Sequence, residues 1–204
     1  MDVMDLASLA PHLLPEAPPL SLTPTRGDYD LDPQHRPEEP RALKPAAVLM
    51  PIVRRDEPTV LFTKRTEHLA RHAGQVSFPG GRVHEADTSL IETALRETRE
   101  ETGIGAEFVS VLGFLDSYET GTGFAIVPVV GLLEEGFALA PDPGEVDEVF
   151  EVPLAFLLDP ANRRLESRQW RGRTRHYYAF SYGRHYIWGA TAAILVGFAE
   201  RLSA

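Results

Sequence analysis

Residues 80–104 read GGRVHEADTSLIETALRETREETGI, and the second half of this stretch is punctuated as a helix. Asp87, Thr88 and Ser89 can each accept the free N–H groups of a first turn, and Gly103 can close the last one. Within that helix Glu97, Glu100 and Glu101 stand at i, i+3 and i+4, so their carboxylates share one ridge and repel each other. They also fall in the last two turns, where unpaired carbonyls disfavour anions. A hard divalent cation turns both penalties into attraction, and oxygen-only donors without cysteine point to Mg²⁺ or Mn²⁺ rather than zinc. The plain alternative is an exposed face laced by Glu92–Arg96–Glu100 pairs at i, i+4 spacing. Against it stand the position of the acids at the unfavourable end of the helix and the Phe78-Pro-Gly-Gly81 turn that precedes them.

Gly81, Arg96-Glu97, Glu100-Glu101, Gly103 and Ile104 resemble the Nudix box, a glycine followed by a loop, a helix and an R-E-x-x-E-E-x-G ending. The family segment from glycine to arginine is usually one residue shorter and has a glutamate where this chain has Asp87-Thr88. A second stretch, Leu61-Phe-Thr-Lys-Arg65 followed by Arg71-His-Ala-Gly-Gln-Val-Ser-Phe-Pro-Gly-Gly81, is similar to the signature of the coenzyme A diphosphatase branch. That branch also tends to have the extra box residue and a late Trp-Gly-x-Thr-Ala, here Trp188-Gly-Ala-Thr-Ala192.

The resemblance implies an α+β fold, a Nudix-type α/β/α sandwich with a mixed β-sheet. It also implies hydrolysis of the diphosphate of coenzyme A to 3′,5′-ADP and 4′-phosphopantetheine with Mg²⁺ or Mn²⁺. Carried over by position, Glu97, Glu100 and Glu101 are metal ligands, the Gly80 carbonyl is another, and Arg96 orients the carboxylates. Family members often supply a further acid from a later loop, and Glu145 is the choice here for ligand or base, ahead of Asp147 and Glu148. Lys64, Arg65, Arg71 and Arg82 are the expected phosphate contacts, with Gln75 and His72 matching the branch signature. Phe62, Phe78 and Trp188 are expected in the core, while Tyr177, Tyr178 or Tyr186 could stack on a base.

Composition bounds these readings. At 204 residues with 43% hydrophobic content the chain can bury a proper core as one domain with an appendage. A formal charge of −10 argues against a nucleic-acid partner, because phosphate backbones need a basic surface. No cysteine means no disulfide framework. The acidic, proline-broken start is unlike a signal peptide, and the apolar run Ile187 to Ala199 is too short to span a bilayer, so no membrane partner and a cytoplasmic location are expected.

Residues 1–44 hold eight of the 17 prolines and form the expected extension to a hydrolase domain at 45–204. A short helix from Asp5 to Leu14 is expected, followed by a segment that wraps the domain, reaches a partner subunit in a homodimer, or is disordered. Ala46–Val53 and Thr59–Arg65 read as a hairpin, Gly74–Phe78 as a short strand, and Glu107–Tyr118 and Phe124–Leu133 as longer strands. Val149–Leu154 leads to a short helix, Arg168–Arg173 and His176–Tyr182 form a last hairpin, and Trp188–Arg201 is an apolar helix. Two alternatives stay open: a Nudix hydrolase of another nucleoside diphosphate derivative, since the box encodes the bond and not the substrate, and a non-catalytic nucleotide-binding module.

Overall fold

The computed structural model describes residues 6–19, 24–39, 41–69, 72–170 and 172–203. Arg71, an expected phosphate contact, and Asp5, the expected start of the first helix, lie outside the described residues. The larger sheet comprises β1 (Arg26–Gly27), β2 (Lys44–Val53), β3 (Thr59–Arg65), β4 (Val76–Ser77), β5 (Gly80–Arg82), β6 (Val109–Phe114), β7 (Tyr118–Glu119), β8 (Phe124–Leu133) and β9 (Val146–Pro153). The smaller comprises β10 (Arg164–Trp170), β11 (Arg173–Tyr182) and β12 (His185–Trp188). The α-helices are α1 (Leu90–Thr102), α2 (Leu154–Leu158) and α3 (Ala190–Leu202).

The spine of the larger sheet is β2 lying parallel to β8 along its whole length, from Lys44↔Phe124 to Val53↔Leu133. Both strands are nearly continuous runs of apolar residues because both faces are covered. Alternation sends Ala47, Leu49, Val127 and Val129 to one side, against Leu90 and Ala94 of α1. Met50, Ile52, Val130 and Leu132 go to the other, against Ala192, Leu195 and Phe198 of α3. Helices on both faces of a mixed sheet make the α/β/α sandwich expected from the sequence.

The expected hairpin of β2 and β3 is a finding of a different kind. The two pair only at Ile52↔Val60 and Val53↔Thr59, then part, and β5 fills the gap along Ala46–Val48. Glycine permits that insertion: a Cβ on Gly80, whose φ is +149°, would fall 2.5 Å from the Ala47 carbonyl oxygen and the Val48 Cα. The long partner of β3 is instead β9. The expected strand 107–118 breaks after Phe114, and its remainder, β7, pairs with the start of β8. His185–Trp188, partly assigned to the last helix from sequence, is a strand, and α3 starts at Ala190.

The described part of residues 1–44 is built against the domain. A 3₁₀ helix, Leu6–His12, replaces the expected α-helix, and Leu6, Leu9 and Leu13 are 6%, 2% and 6% exposed. Pro11 inside it removes a donor and restricts the helix to a short turn. Further on, Asp28 accepts from the Tyr118 hydroxyl at 2.9 Å. The buried Asp32 accepts from the His176 backbone N–H at 2.7 Å and meets its ring Nδ1 at 2.8 Å. No helix among the described residues is long and apolar enough to cross a membrane.

Candidate active site

Ser89 is the N-cap that α1 uses; its hydroxyl accepts from the Glu92 N–H, and Gly103 closes the helix at φ 80°. Helix α1 then packs its apolar side on β2 and turns its acidic ridge toward the Pro79-Gly80-Gly81 turn and the start of β9. Glu101 is the deep member, 4% exposed, with one carboxylate oxygen 3.3 Å from the Gly80 N–H. Burial pushes its carboxyl up to about 8, against the pull of Arg65 and of that N–H. Glu97 is raised as well, chiefly by burial. Its carboxylate lies against the backbone of Gly81, where a Cβ would come 2.4 Å from Oε2. Glu100 is the exposed member, its side chain 60% accessible.

Two guanidiniums thread these acids. Arg96 donates to Glu97 at 2.8 Å and to Glu100 at 3.0 Å. Arg65, from the end of β3, lies 3.6 Å from Glu101 through Nη1 and 3.6 Å from Glu145 through Nη2. Neither distance is a hydrogen bond, and the buried Arg65 Nε has no partner among the described residues. Of the plain Glu92–Arg96–Glu100 ladder only the second half exists, because Glu92 turns back to accept from the Thr88 N–H and hydroxyl at 2.7 and 2.6 Å.

Asp87, a candidate cap from the sequence, instead anchors Arg96. Its carboxylate accepts from Nε and Nη2, both at 2.9 Å, from the His84 N–H at 2.8 Å and from the Thr93 hydroxyl at 2.8 Å. The Arg96 bonds, first among these, hold Asp87 well below the usual carboxylate range. The signal that could have found it is the shift itself: one extra residue before the helix allows a shorter acid to reach the same guanidinium.

The structure thus brings together Gly80, Arg65, Arg96, Glu97, Glu100, Glu101 and Glu145. Other expected contacts face elsewhere. Lys64 donates to Asp147 at 2.9 Å, Gln75 pairs with the His72 ring at 2.7 Å, and the Arg82 guanidinium lies 5.1 Å from the Phe124 ring centroid. Glu148 accepts from Arg184 at 2.7 Å and meets His185 at 3.2 Å. Phe62 and Phe78 are buried as expected, whereas Trp188 is only half-buried.

The donor set fits a hard divalent cation. It is all oxygen, and burial pushes the Glu101 carboxyl up to about 8, a penalty that a bound cation would relieve. Among the described residues no three acidic or histidine side chains converge as a ready ligand group; Arg96 pairs with Glu97 and Glu100, and Arg65 lies beside Glu101 and Glu145.

A helix whose carboxylate ridge faces a glycine turn, on a sandwich of this topology, defines a class. A family model described as NUDIX domain matches residues 43–171, and the chain belongs to the Nudix family. These hydrolases act on the pyrophosphate bond of nucleoside diphosphate derivatives and generally use divalent metals such as Mg²⁺ or Mn²⁺. The chain is similar to a Yersinia enterocolitica protein named Uncharacterized Nudix hydrolase NudL, 45% identical over 163 residues covering 78% of this chain and 81% of the relative. Its namesake in Pectobacterium atrosepticum is 42% identical over 184 residues, covering 88% and 92%. Among solved structures it is similar to a C. elegans Ap4A hydrolase binary complex, 17% identical, covering 54% of this chain and 80% of that one with a TM-score of 0.47.

Proposed function

We propose that the chain hydrolyses the diphosphate of coenzyme A and its derivatives to 3′,5′-ADP and 4′-phosphopantetheine. The observation that supports this reading best is the meeting of two motifs. Arg65 closes the first part of the stretch similar to the coenzyme A signature, Glu101 belongs to the box, and their side chains approach to 3.6 Å.

In this reading Glu97, Glu100, Glu101 and the Gly80 carbonyl hold Mg²⁺ or Mn²⁺, which when bound supplies charge neutralisation and Lewis acidity at the phosphoryl oxygens. Arg65 leaves its loose contact with Glu101 and Glu145 to take a diphosphate oxygen, which also satisfies its orphan Nε. Arg96, held by Asp87, keeps Glu97 and Glu100 in fixed rotamers. Glu145, whose side chain is 53% accessible, receives the proton of the attacking water as the bridging P–O bond breaks.

The test is release of the two products from coenzyme A by purified protein with Mg²⁺ or Mn²⁺. Glu101→Gln should abolish turnover while the far-ultraviolet spectrum stays that of the native chain. Undiminished turnover in that variant refutes the mechanism, and equal kcat/KM on ADP-ribose refutes the substrate.

A further inference from the structure

One face of the smaller sheet is not used by this mechanism. Its inner side is core: Phe180 and Ile187 are 1% and 0% exposed. Alternation therefore gives the outer side Arg164, Arg168, Arg173, Tyr177, Tyr186 and Trp188, with the register Arg168↔Arg175, Trp170↔Arg173 and Ala179↔Trp188 holding them on one surface. The Arg168 guanidinium lies 4.2 Å from the Trp188 ring centroid and 5.8 Å from that of Tyr177. Tyr177 meets Trp188 edge-on at 5.4 Å. Of the acids within the three strands themselves, Glu166 lies on this side and is engaged by the Tyr186 hydroxyl at 2.5 Å; Asp28, from outside the sheet, pairs with Arg175 on the same side.

Arg164, Arg168 and Arg173 are exposed. Among the described residues none of them is in ion-pair reach of a carboxylate, unlike Arg54, Arg55, Arg96, Arg184 and Arg201. In a chain of formal charge −10, uncompensated cations beside aromatic rings are an anion-attracting surface with stacking planes.

A cavity of about 320 Å³ lies beside this surface and shares Tyr186 and Trp188 with it. Lys64, Val76, Asp147, His185, Tyr186 and Trp188 line it. Lys64 is the neighbour of Arg65, and Asp147 is two residues from Glu145, so the Cα atoms of that pair are within about 7 Å. A ligand with a diphosphate at Arg65 would pass around the end of β3, beside Lys64, to lay its next group in the cavity.

Resting on the reading above, we propose that this arginine-aromatic face and its cavity bind the phosphorylated nucleoside half of the substrate. The base packs against Tyr186 and Trp188, and the phosphate monoester on the ribose pairs with Arg168, which selects substrates that have that monoester over those that lack it. The ligand class is a nucleoside bisphosphate, not a simple nucleoside monophosphate.

The test uses the full chain in chelator, so that no turnover is involved. Adenosine 3′,5′-bisphosphate and 5′-AMP are titrated by tryptophan fluorescence and calorimetry. A charge-assisted contact to the second phosphate should make the bisphosphate bind about tenfold more tightly or better. Arg168→Gln should bring the two ligands within about threefold, while Arg168→Lys, which keeps the charge and guards against a folding defect, should retain part of the preference. Equal affinities in the native chain overturn the proposal, as does a preference that survives Arg168→Gln. An oligoadenylate that binds more tightly than the bisphosphate and competes with it also overturns it, in favour of single-stranded nucleic acid. Failure of the functional reading looks different. If the protein cleaves coenzyme A but the kcat/KM ratio between coenzyme A and its 3′-dephospho form is the same in Arg168→Gln, this subsite is wrong and the reading stands. If coenzyme A is not cleaved, the reading falls, and the fluorescence titration still decides the face.

Discussion

Replacing Glu101 by glutamine should stabilise the chelator-treated protein while abolishing its turnover. The carboxyl is 4% exposed, and its proton affinity moves from an ordinary 4.5 to about 8 on burial. At about 1.4 kcal/mol per pH unit, keeping such a group ionised in the folded state costs about 5 kcal/mol above pH 8. The sign follows from linkage: an unfolded glutamate titrates near 4.3, so between there and about 8 the folded chain holds the extra proton and stability falls as pH rises. Glutamine is neutral throughout, but it forfeits the attraction of Arg65. About half of the penalty, ~2–3 kcal/mol, should therefore be recovered at pH 8, which raises Tm by roughly 5–10 °C for a chain of this size. Thermal melts in chelator at pH 5, 6.5 and 8 measure it, with the gap between variant and native chain opening as pH rises. Addition of Mn²⁺ at about a hundred times its Kd stabilises the native chain by about 2.7 kcal/mol and should close or reverse the gap. A variant that melts no higher than the native chain at pH 8, or a gap indifferent to pH, refutes the reasoning.

Three further outcomes are expected. Asp87→Ala removes two hydrogen bonds from Arg96 but leaves it Glu97 and Glu100; losing this partly buried pair should lower stability by about 1–2 kcal/mol and Tm by roughly 2–8 °C near neutral pH. Because the Asp87 carboxyl is held below its unfolded value, that deficit should be constant above about pH 5 and shrink as pH falls below about 4. Gly81→Ala forces a Cβ to 2.4 Å from the Glu97 carboxylate, so steady-state kinetics should show a loss in kcat of about a hundredfold or more with a melting curve that changes far less. Deleting residues 1–32 removes Leu6, Leu9 and Leu13 from the core, a loss of about 5–9 kcal/mol that rivals the whole stability of a domain; the truncated chain should be insoluble or bind a hydrophobic dye at room temperature.

What the sequence displayed and what it hid divide along the range of the forces involved. The limits of α1 were legible because a cap is local: the Ser89 hydroxyl and the Gly103 backbone act within one turn of themselves. The strands β2 and β8 were legible as apolar runs, but not as each other's parallel neighbours, since nothing within Ala46–Val53 names a partner 80 residues away, as in Ala46↔Ile126 and Val53↔Leu133. β12 was hidden because four residues, His185–Trp188, are too few to show a period before the helix pattern begins. Among the candidate site residues, the acids of α1 were legible from spacing, and Arg65 from resemblance. Asp87 was not, because its partner Arg96 is nine residues on and reached by the fold of a loop. Trp188 read as core by residue type, and only its alternation with the buried Ile187 in β12, together with its partial exposure, shows that it faces away from the core.

The different surroundings of Lys64 and Arg65 rest on one irregularity in a strand pair. Between β3 and β9 the register runs Lys64↔Glu148 and then Arg65↔Val146, so Asp147 is an extra residue bulged out of the ladder. In a regular ladder Arg65 would oppose Asp147 and Glu145 would fall one pair further off. With the bulge, Thr66 donates its N–H to the Glu145 carbonyl at 3.0 Å, which draws the Glu145 side chain to the Arg65 guanidinium. The displaced Asp147 is then free to hold Lys64 at 2.9 Å on the opposite face. Strand alternation alone sends Lys64 and Arg65 to different sides of the sheet; the bulge gives each of them an acid. Two adjacent basic residues are thereby placed around one sheet edge, Arg65 at the glutamates of α1 and Lys64 in the lining of the cavity, and the proposed coupling of diphosphate cleavage to recognition of what is attached to it would run through this one short motif.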